Sequence, residues 1–159
     1  MSLDRIKKQL HSKSIFFSED RILDQPSVIG YDKQFRWSWM LTQLNTFYVV
    51  SDLKATTITV ETIESNLKES FNYGKKNYKG WPRGFQSAIG VVNILISENV
   101  SEEAKVYCKK LKSGKKWAGF AIPVVIDASK KEIFFFDKKP MWGMIYFPYF
   151  KRMIEELTV

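Results

Sequence analysis

The sequence predicts an α+β domain: one mixed β-sheet of about five strands with helices packed on it. Runs rich in β-branched and aromatic residues, which are typical of strands, recur along the 159-residue chain. Stretches with apolar residues at helical spacing separate several of these runs. The last two runs are joined by a turn instead of a helix, so the sheet should contain antiparallel as well as parallel neighbours.

The N-terminal residues 1–33 give the weakest pattern in the chain. Ile6 and Leu10 suit one face of a short helix, while residues 24–30 contain turn-forming residues and predict a loop. We therefore expect a single domain over residues 1–159, with residues 1–33 as a poorly defined N-terminal extension.

Two strands are predicted next. The aromatic residues Phe35, Trp37 and Trp39 alternate with polar neighbours, which indicates a half-buried strand. Residues 46–51 (TFYVVS) form the second strand, and the three residues 43–45 between them predict a hairpin loop.

Two helices follow, with a strand between them. Thr59 can cap a helix that continues at helical spacing until Gly74. Residues 91–97 (VVNILIS) are almost continuously apolar, as in a strand covered on both faces. Ser101 can cap the second helix, since Glu102 and its neighbour place negative charge in the first turn.

The C-terminal part is predicted to form two strands and a helix. Residues 117–126 suit a strand, and Pro123 within it argues for an edge position or a bulge. Residues 132–136 return antiparallel after a turn, and Pro148 suits the first turn of a final helix. The predicted order is ββαβαββα.

Positive charge is concentrated in three short stretches of this basic chain. Residues 74–84, 109–116 and 130–139 hold 13 of the 25 lysines and arginines but only 2 of the 17 acidic residues. Concentrated positive charge attracts phosphate, carboxylate or an anionic surface.

The topology predicts where these cations meet. Strands joined through a helix run parallel, so the segments that enter them lie at one edge of the sheet. We expect a basic and aromatic binding edge there, made of Lys75, Lys76, Tyr78, Lys79, Trp81, Arg83, Lys115, Lys116, Lys138, Lys139 and Trp142.

The composition limits the chemistry that the chain can perform. Cys108 and His11 are the only residues of their kinds, which excludes an intramolecular disulfide and a cysteine–histidine zinc site. A catalytic triad would depend on His11, which lies in a charged stretch that predicts surface. No cofactor or metal is predicted, and the lack of a secretory or membrane-spanning segment leads us to expect a cytoplasmic protein.

The leading hypothesis is a non-catalytic binding module for an anionic partner, with nucleic acid as the foremost candidate. Residues 74–84 contain four cations, three glycines and no acidic residue, and Tyr78 and Trp81 could stack on bases. The competing interpretation is a solvated loop whose Trp81 and Pro82 pack on the core.

Two alternatives remain open. Asp127 and Glu132 flank a turn at the opposite sheet edge and could serve a small metal-dependent enzyme that processes phosphodiesters or phosphates. They could equally be ordinary turn residues. The aromatic segment 140–150 could instead form a homodimer interface, or it could pack against the sheet.

Overall fold

The chain folds around a six-stranded mixed sheet in a computed structural model that describes residues 1–82, 86–111, 119–138 and 145–159. The element order is α1 (Leu3–Ser12), β1 (Phe16–Ile22), β2 (Gln25–Arg36), a 3-10 turn (Trp37–Trp39), β3 (Thr42–Asp52), α2 (Val60–Asn77), β4 (Ser87–Ser97), α3 (Glu102–Lys110), β5 (Gly119–Asp127), β6 (Glu132–Phe134) and α4 (Phe147–Thr158). The predicted fold class is confirmed.

The strands lie in the sheet in the order in which they occur in the chain. β1, β2 and β3 form an antiparallel meander, whereas β3, β4 and β5 run parallel because α2 and α3 connect them. β6 returns antiparallel to β5, as predicted. The starts of β3, β4 and β5 therefore lie at one edge of the sheet, together with the end of β2.

Helices cover both faces of the sheet. On one face, Ile6 of α1 and Phe150 of α4 share a core cluster with Tyr48 and Ile122 of the sheet. On the other face, α2 and α3 pack against the central strands in two smaller clusters. These apolar contacts divide the structure into three layers.

The N-terminal residues add a helix and a strand to the predicted order. The short helix around Ile6 and Leu10 is confirmed, but the loop predicted for residues 24–30 is wrong because β2 begins at Gln25. Gly30 lies inside β2, where a Cβ atom would come within 2.6 Å of the Leu10 side chain. Glycine is typical of turns in local sequence. Gly30 has a different role here, because its lack of a side chain permits α1 to approach the sheet.

The predicted hairpin between β2 and β3 is also displaced. Residues 43–45 belong to β3, and the connection runs over residues 37–41 instead. It contains the 3-10 turn and two consecutive left-handed residues, Met40 at φ 52° and Leu41 at φ 63°. This conformation costs non-glycine residues about 1–2 kcal/mol each.

α2 extends beyond its predicted end. The helix reaches Asn77, and Gly74 lies inside it, where a Cβ atom would come 3.1 Å from Val91 and 3.2 Å from Phe47. Gly74 thus allows the helix to lie close to the sheet. Tyr78 ends the helix in an extended conformation, which sends the chain across the edge toward β4.

Candidate basic-aromatic edge

The segment that follows α2 is held against the sheet by polar side chains of β2, β3 and β4. The Trp81 amide donates to Gln43 Oε1 over 3.0 Å, and the Lys79 amide donates to the Tyr31 hydroxyl over 3.3 Å. Tyr31 in turn donates to Asn45 Oδ1 over 2.7 Å. The Tyr78 hydroxyl contacts Ser87 and the carbonyl oxygen of Trp81. These contacts fix the backbone of residues 78–81 at the edge.

Gly80 fits this arrangement because the space beside it is already filled. A Cβ atom at this position would lie 2.5 Å from Asn45 Nδ2 and 2.6 Å from the Tyr78 hydroxyl oxygen. Burial raises the pKa of Tyr31, which adds to the preference for the protonated hydroxyl that a tyrosine already has at neutral pH. Residues 78–81 are therefore packed into the fold and do not form a loose loop.

Aromatic rings project from this anchored edge. Trp81 is 47% exposed and its ring centre lies 5.9 Å from that of Phe35, which is 43% exposed. The Phe35 ring centre lies 6.0 Å from that of Trp37, which is 80% exposed. Met40, in the same connection, is 82% exposed. The edge therefore presents a continuous row of three rings to solvent.

Trp39 explains why Trp37 remains in solvent. The strand ends at Arg36, and the 3-10 turn carries Trp39 into the core, where its Nε1 donates to the carbonyl oxygen of Ile145 over 3.1 Å. The Arg36 guanidinium covers the Trp39 ring at 4.8 Å. The buried ring anchors the connection and leaves Trp37 on the outside.

Cations lie in the same chain segments as the three rings. Lys33 Nζ donates to the carbonyl oxygen of Lys79 over 2.9 Å, and Lys75 and Lys76 lie in the last turn of α2. We define the basic-aromatic edge as the three exposed rings and the five cations of the same segments: Phe35, Trp37, Trp81, Lys33, Arg36, Lys75, Lys76 and Lys79.

Negative charge is nearly absent from the same segments. Residues 33–45 and 74–82 contain no acidic residue. Asp32 precedes them, but it is buried, and its Oδ2 accepts a hydrogen bond of 2.5 Å from the Tyr149 hydroxyl on the opposite face of the sheet. Gln34 Nε2 donates to the same carboxylate over 3.0 Å. The exposed charge at this edge is therefore positive.

The sequence-predicted binding residues divide into three groups. Lys75, Lys76, Lys79 and Trp81 lie exposed at the edge, whereas Tyr78 is half-buried and uses its hydroxyl to hold the segment in place. Lys138 is exposed beside Asp137, whose amide donates to the carbonyl oxygen of Lys109 at the end of α3. The remaining predicted residues lie outside the part of the chain that the structure describes: Arg83, Lys115, Lys116, Lys139 and Trp142.

Sequence reasoning missed Phe35, Trp37, Lys33 and Arg36 as members of the edge. It assigned the two aromatic residues to the half-buried face of a strand. The available signal was aromatic residues interleaved with cations and free of acids, which is the same pattern that singled out residues 74–84. Their placement beside Trp81 depends on strand pairing, which local sequence does not reveal.

The alternative carboxylates lie at the opposite edge. Asp127 lines a cavity of about 340 Å³ with Glu98, Asn99 and Lys130. Its Oδ1 accepts hydrogen bonds from the Ser129 amide, the Ser129 hydroxyl and the Lys130 amide, at 3.1, 2.6 and 3.1 Å. Its Oδ2 lies 3.8 Å from Lys105 Nζ.

These contacts bear on the enzyme hypothesis, which stays a prediction. Asp127 already holds a turn and a buried lysine, and Glu132, its antiparallel partner, is exposed. Within the described ranges, no group of three or more histidine, cysteine, aspartate or glutamate residues is arranged to hold a metal ion. The homodimer hypothesis rests on residues 140–150, of which 140–144 lie outside the described ranges.

None of the helices that the structure describes is long and apolar enough to cross a membrane. Comparison with family models, with curated proteins and with solved structures finds no match to this chain.

Proposed function

We propose that this protein binds nucleic acid at the basic-aromatic edge and does so without catalysing a reaction. The observation that carries the proposal is the exposed ring row of Trp81, Phe35 and Trp37, carried by segments that contain cations and no acidic residue. Cationic side chains neutralise phosphates, while exposed rings provide surfaces for bases.

The anchoring of residues 78–81 supports this proposal over a purely structural loop. A loop that served only to cover the core would bury the Trp81 ring, yet about half of it remains in solvent. The backbone contacts to Gln43 and Tyr78 instead fix the position from which the ring projects. A ring held in place before binding loses less conformational freedom when a ligand arrives.

The compartment that we propose for this activity is the cytoplasm, as expected from the sequence. Cys108 is buried within α3, and burial raises the pKa of its thiol to about 12. A protonated and buried thiol has a packing role, which is consistent with a reducing compartment.

Salt dependence of binding tests the proposal. In Lys75→Ala/Lys76→Ala/Lys79→Ala, we expect weaker binding to a labelled oligonucleotide at low salt, measured by fluorescence anisotropy. If all three lysines contact phosphates of a single strand, the slope of log K against log salt should become shallower by about 2.

The matched control removes the same charge from the opposite edge. Lys54, Lys130 and Lys131 lie in exposed turns after the ends of β3 and β5, so Lys54→Ala/Lys130→Ala/Lys131→Ala should retain the wild-type slope. Equal slopes for the two triple variants would mean that binding follows net charge alone, and the proposed edge would be wrong.

A further inference from the structure

We infer that the nucleic acid held at the basic-aromatic edge is an unpaired and unstacked strand, with successive bases resting on Trp81, Phe35 and Trp37. This inference rests on the proposed function and specifies its ligand. The shared chemistry is the exposed face of an unpaired base, which DNA and RNA both supply.

The spacing of the rings is the first argument. Their centres lie 5.9 and 6.0 Å apart, whereas stacked nucleotides repeat about every 3.4 Å along one strand. A stacked helix therefore cannot match one base to each ring. A strand whose bases have separated can, since its backbone is free to extend.

The tilt of the rings is the second argument. The plane of Phe35 makes angles of 62° with that of Trp81 and 75° with that of Trp37, so the rings meet edge to face and do not stack on one another. Ring faces that neighbours do not cover remain available to a ligand. A duplex keeps its base faces inside the stack and offers only base edges and phosphates to a protein.

The support beneath the rings is the third argument. Phe35 projects from β2, Trp81 is held through its amide by Gln43, and Trp37 precedes the buried anchor Trp39. Gln43 and Asn45 are buried and engaged in hydrogen bonds within the fold. With stacking as the main contact, binding should show little preference among bases, because each base has an aromatic face.

The test compares single strands with a duplex. Labelled oligomers of about 12 nucleotides, which is within the site sizes of single-strand-binding proteins, are oligo-dT, oligo-rU and a blunt DNA duplex of the same length. We expect both single strands to bind more tightly than the duplex. Weaker binding of oligo-rU than of the duplex would restrict the ligand to DNA and overturn the shared chemistry.

Substitutions at Trp37 separate stacking from other apolar contacts. Trp37→Leu keeps an apolar side chain but removes the ring, and it should weaken single-strand binding about 5- to 150-fold. Trp37→Phe keeps a ring and should retain most of the affinity. Both changes should leave duplex binding and the urea midpoint unchanged, because the Trp37 side chain is in solvent. Val106→Ala removes part of an exposed apolar side chain on α3 and should change none of these values.

Three further outcomes would overturn the inference, and only the first of them leaves the proposed function standing. Equal binding of duplex and single strands that depends on the lysines but not on Trp37 would leave phosphate binding standing and remove base stacking. Binding to vesicles of phosphatidylserine and phosphatidylcholine that survives in Trp37→Leu, without single-strand binding, would identify a membrane surface. Lack of binding to every oligomer at low salt would overturn the proposed function as well.

Discussion

Asp127 shows how one carboxylate can hold a turn and an adjacent helix together. Its oxygens accept hydrogen bonds from Ser129 and Lys130 and face the buried Lys105 ammonium. Burial by itself raises the pKa of this carboxyl group. The hydrogen bonds and the nearby lysines nevertheless outweigh burial and hold the pKa below its usual value. The ionised form is therefore favoured in the folded state.

Asp127→Asn should lower the free energy of unfolding by about 1.5–3 kcal/mol at pH 7, because charge-assisted hydrogen bonds are lost. Urea denaturation measures this change. Glu132→Gln, at the exposed residue paired with Asp127 across the strands, should shift stability by less than about 0.5 kcal/mol. Equal stability of the two variants would contradict a structural role for Asp127.

The same substitution has a defined pH dependence. A carboxyl group whose pKa is lower in the folded state stabilises the protein above its unfolded pKa of about 3.9. That contribution disappears as the pH falls through the folded pKa. The difference in stability between wild type and Asp127→Asn should therefore shrink between pH 5 and the acid limit of folding, whereas a constant difference would exclude ionisation as its cause.

The connection between β2 and β3 illustrates how an element can be strained and still well positioned. Met40 and Leu41 both adopt the left-handed conformation, and Trp39 anchors the preceding turn in the core. Strain of this kind persists where surrounding contacts determine the backbone. The short connection therefore holds Trp37 at a defined position.

Met40→Gly should raise the free energy of unfolding by about 0.5–1 kcal/mol, since relief of strain exceeds the cost of a more flexible unfolded chain. The Met40 side chain is largely in solvent, so little burial is lost. Ser38→Gly, in the right-handed 3-10 turn, should destabilise by about 0.5–1 kcal/mol. Thermal or urea unfolding that shows the same sign for both variants would refute this account of the connection.

Elements with a local sequence signal could be predicted, whereas an element that depends on tertiary contacts could not. β4 and α3 were identifiable because a continuous apolar run and the Ser101 cap are local signals. β2 was missed because Pro26 and Gly30 favour turns locally, and only pairing with β1 and β3 makes them part of a strand. Tertiary contacts decided the outcome there.

The candidate edge was only partly predictable for a related reason. Trp81 and its lysines were found from charge and aromatic content along one segment. Phe35 and Trp37 required the end of β2 to be known, because alternation beyond Arg36 follows the 3-10 turn and no longer a strand. A pattern of period two cannot reveal by itself where the strand stops.

Stability should be graded across the whole molecule. Every residue of β4 is buried and the strand is paired on both sides, whereas β6 has three residues and a single neighbouring strand. Amides in β4 should exchange with solvent only through global unfolding, while those of β6 should exchange by local opening. Hydrogen exchange under native conditions, followed by mass spectrometry or NMR, checks the order. Exchange in β4 as fast as in β6 would contradict it.

The two outer strands have a consequence for self-association of the sheet. β1 carries Glu19, Asp20 and Arg21 in its exposed stretch and has an irregular register near Phe16, while β6 is too short to offer a long row of free amides. Outer strands that are charged, irregular or short discourage strands of other molecules from pairing with them. The apolar run in β4 is of the kind that forms fibrils when uncovered, and within the sheet β3 and β5 cover both of its sides.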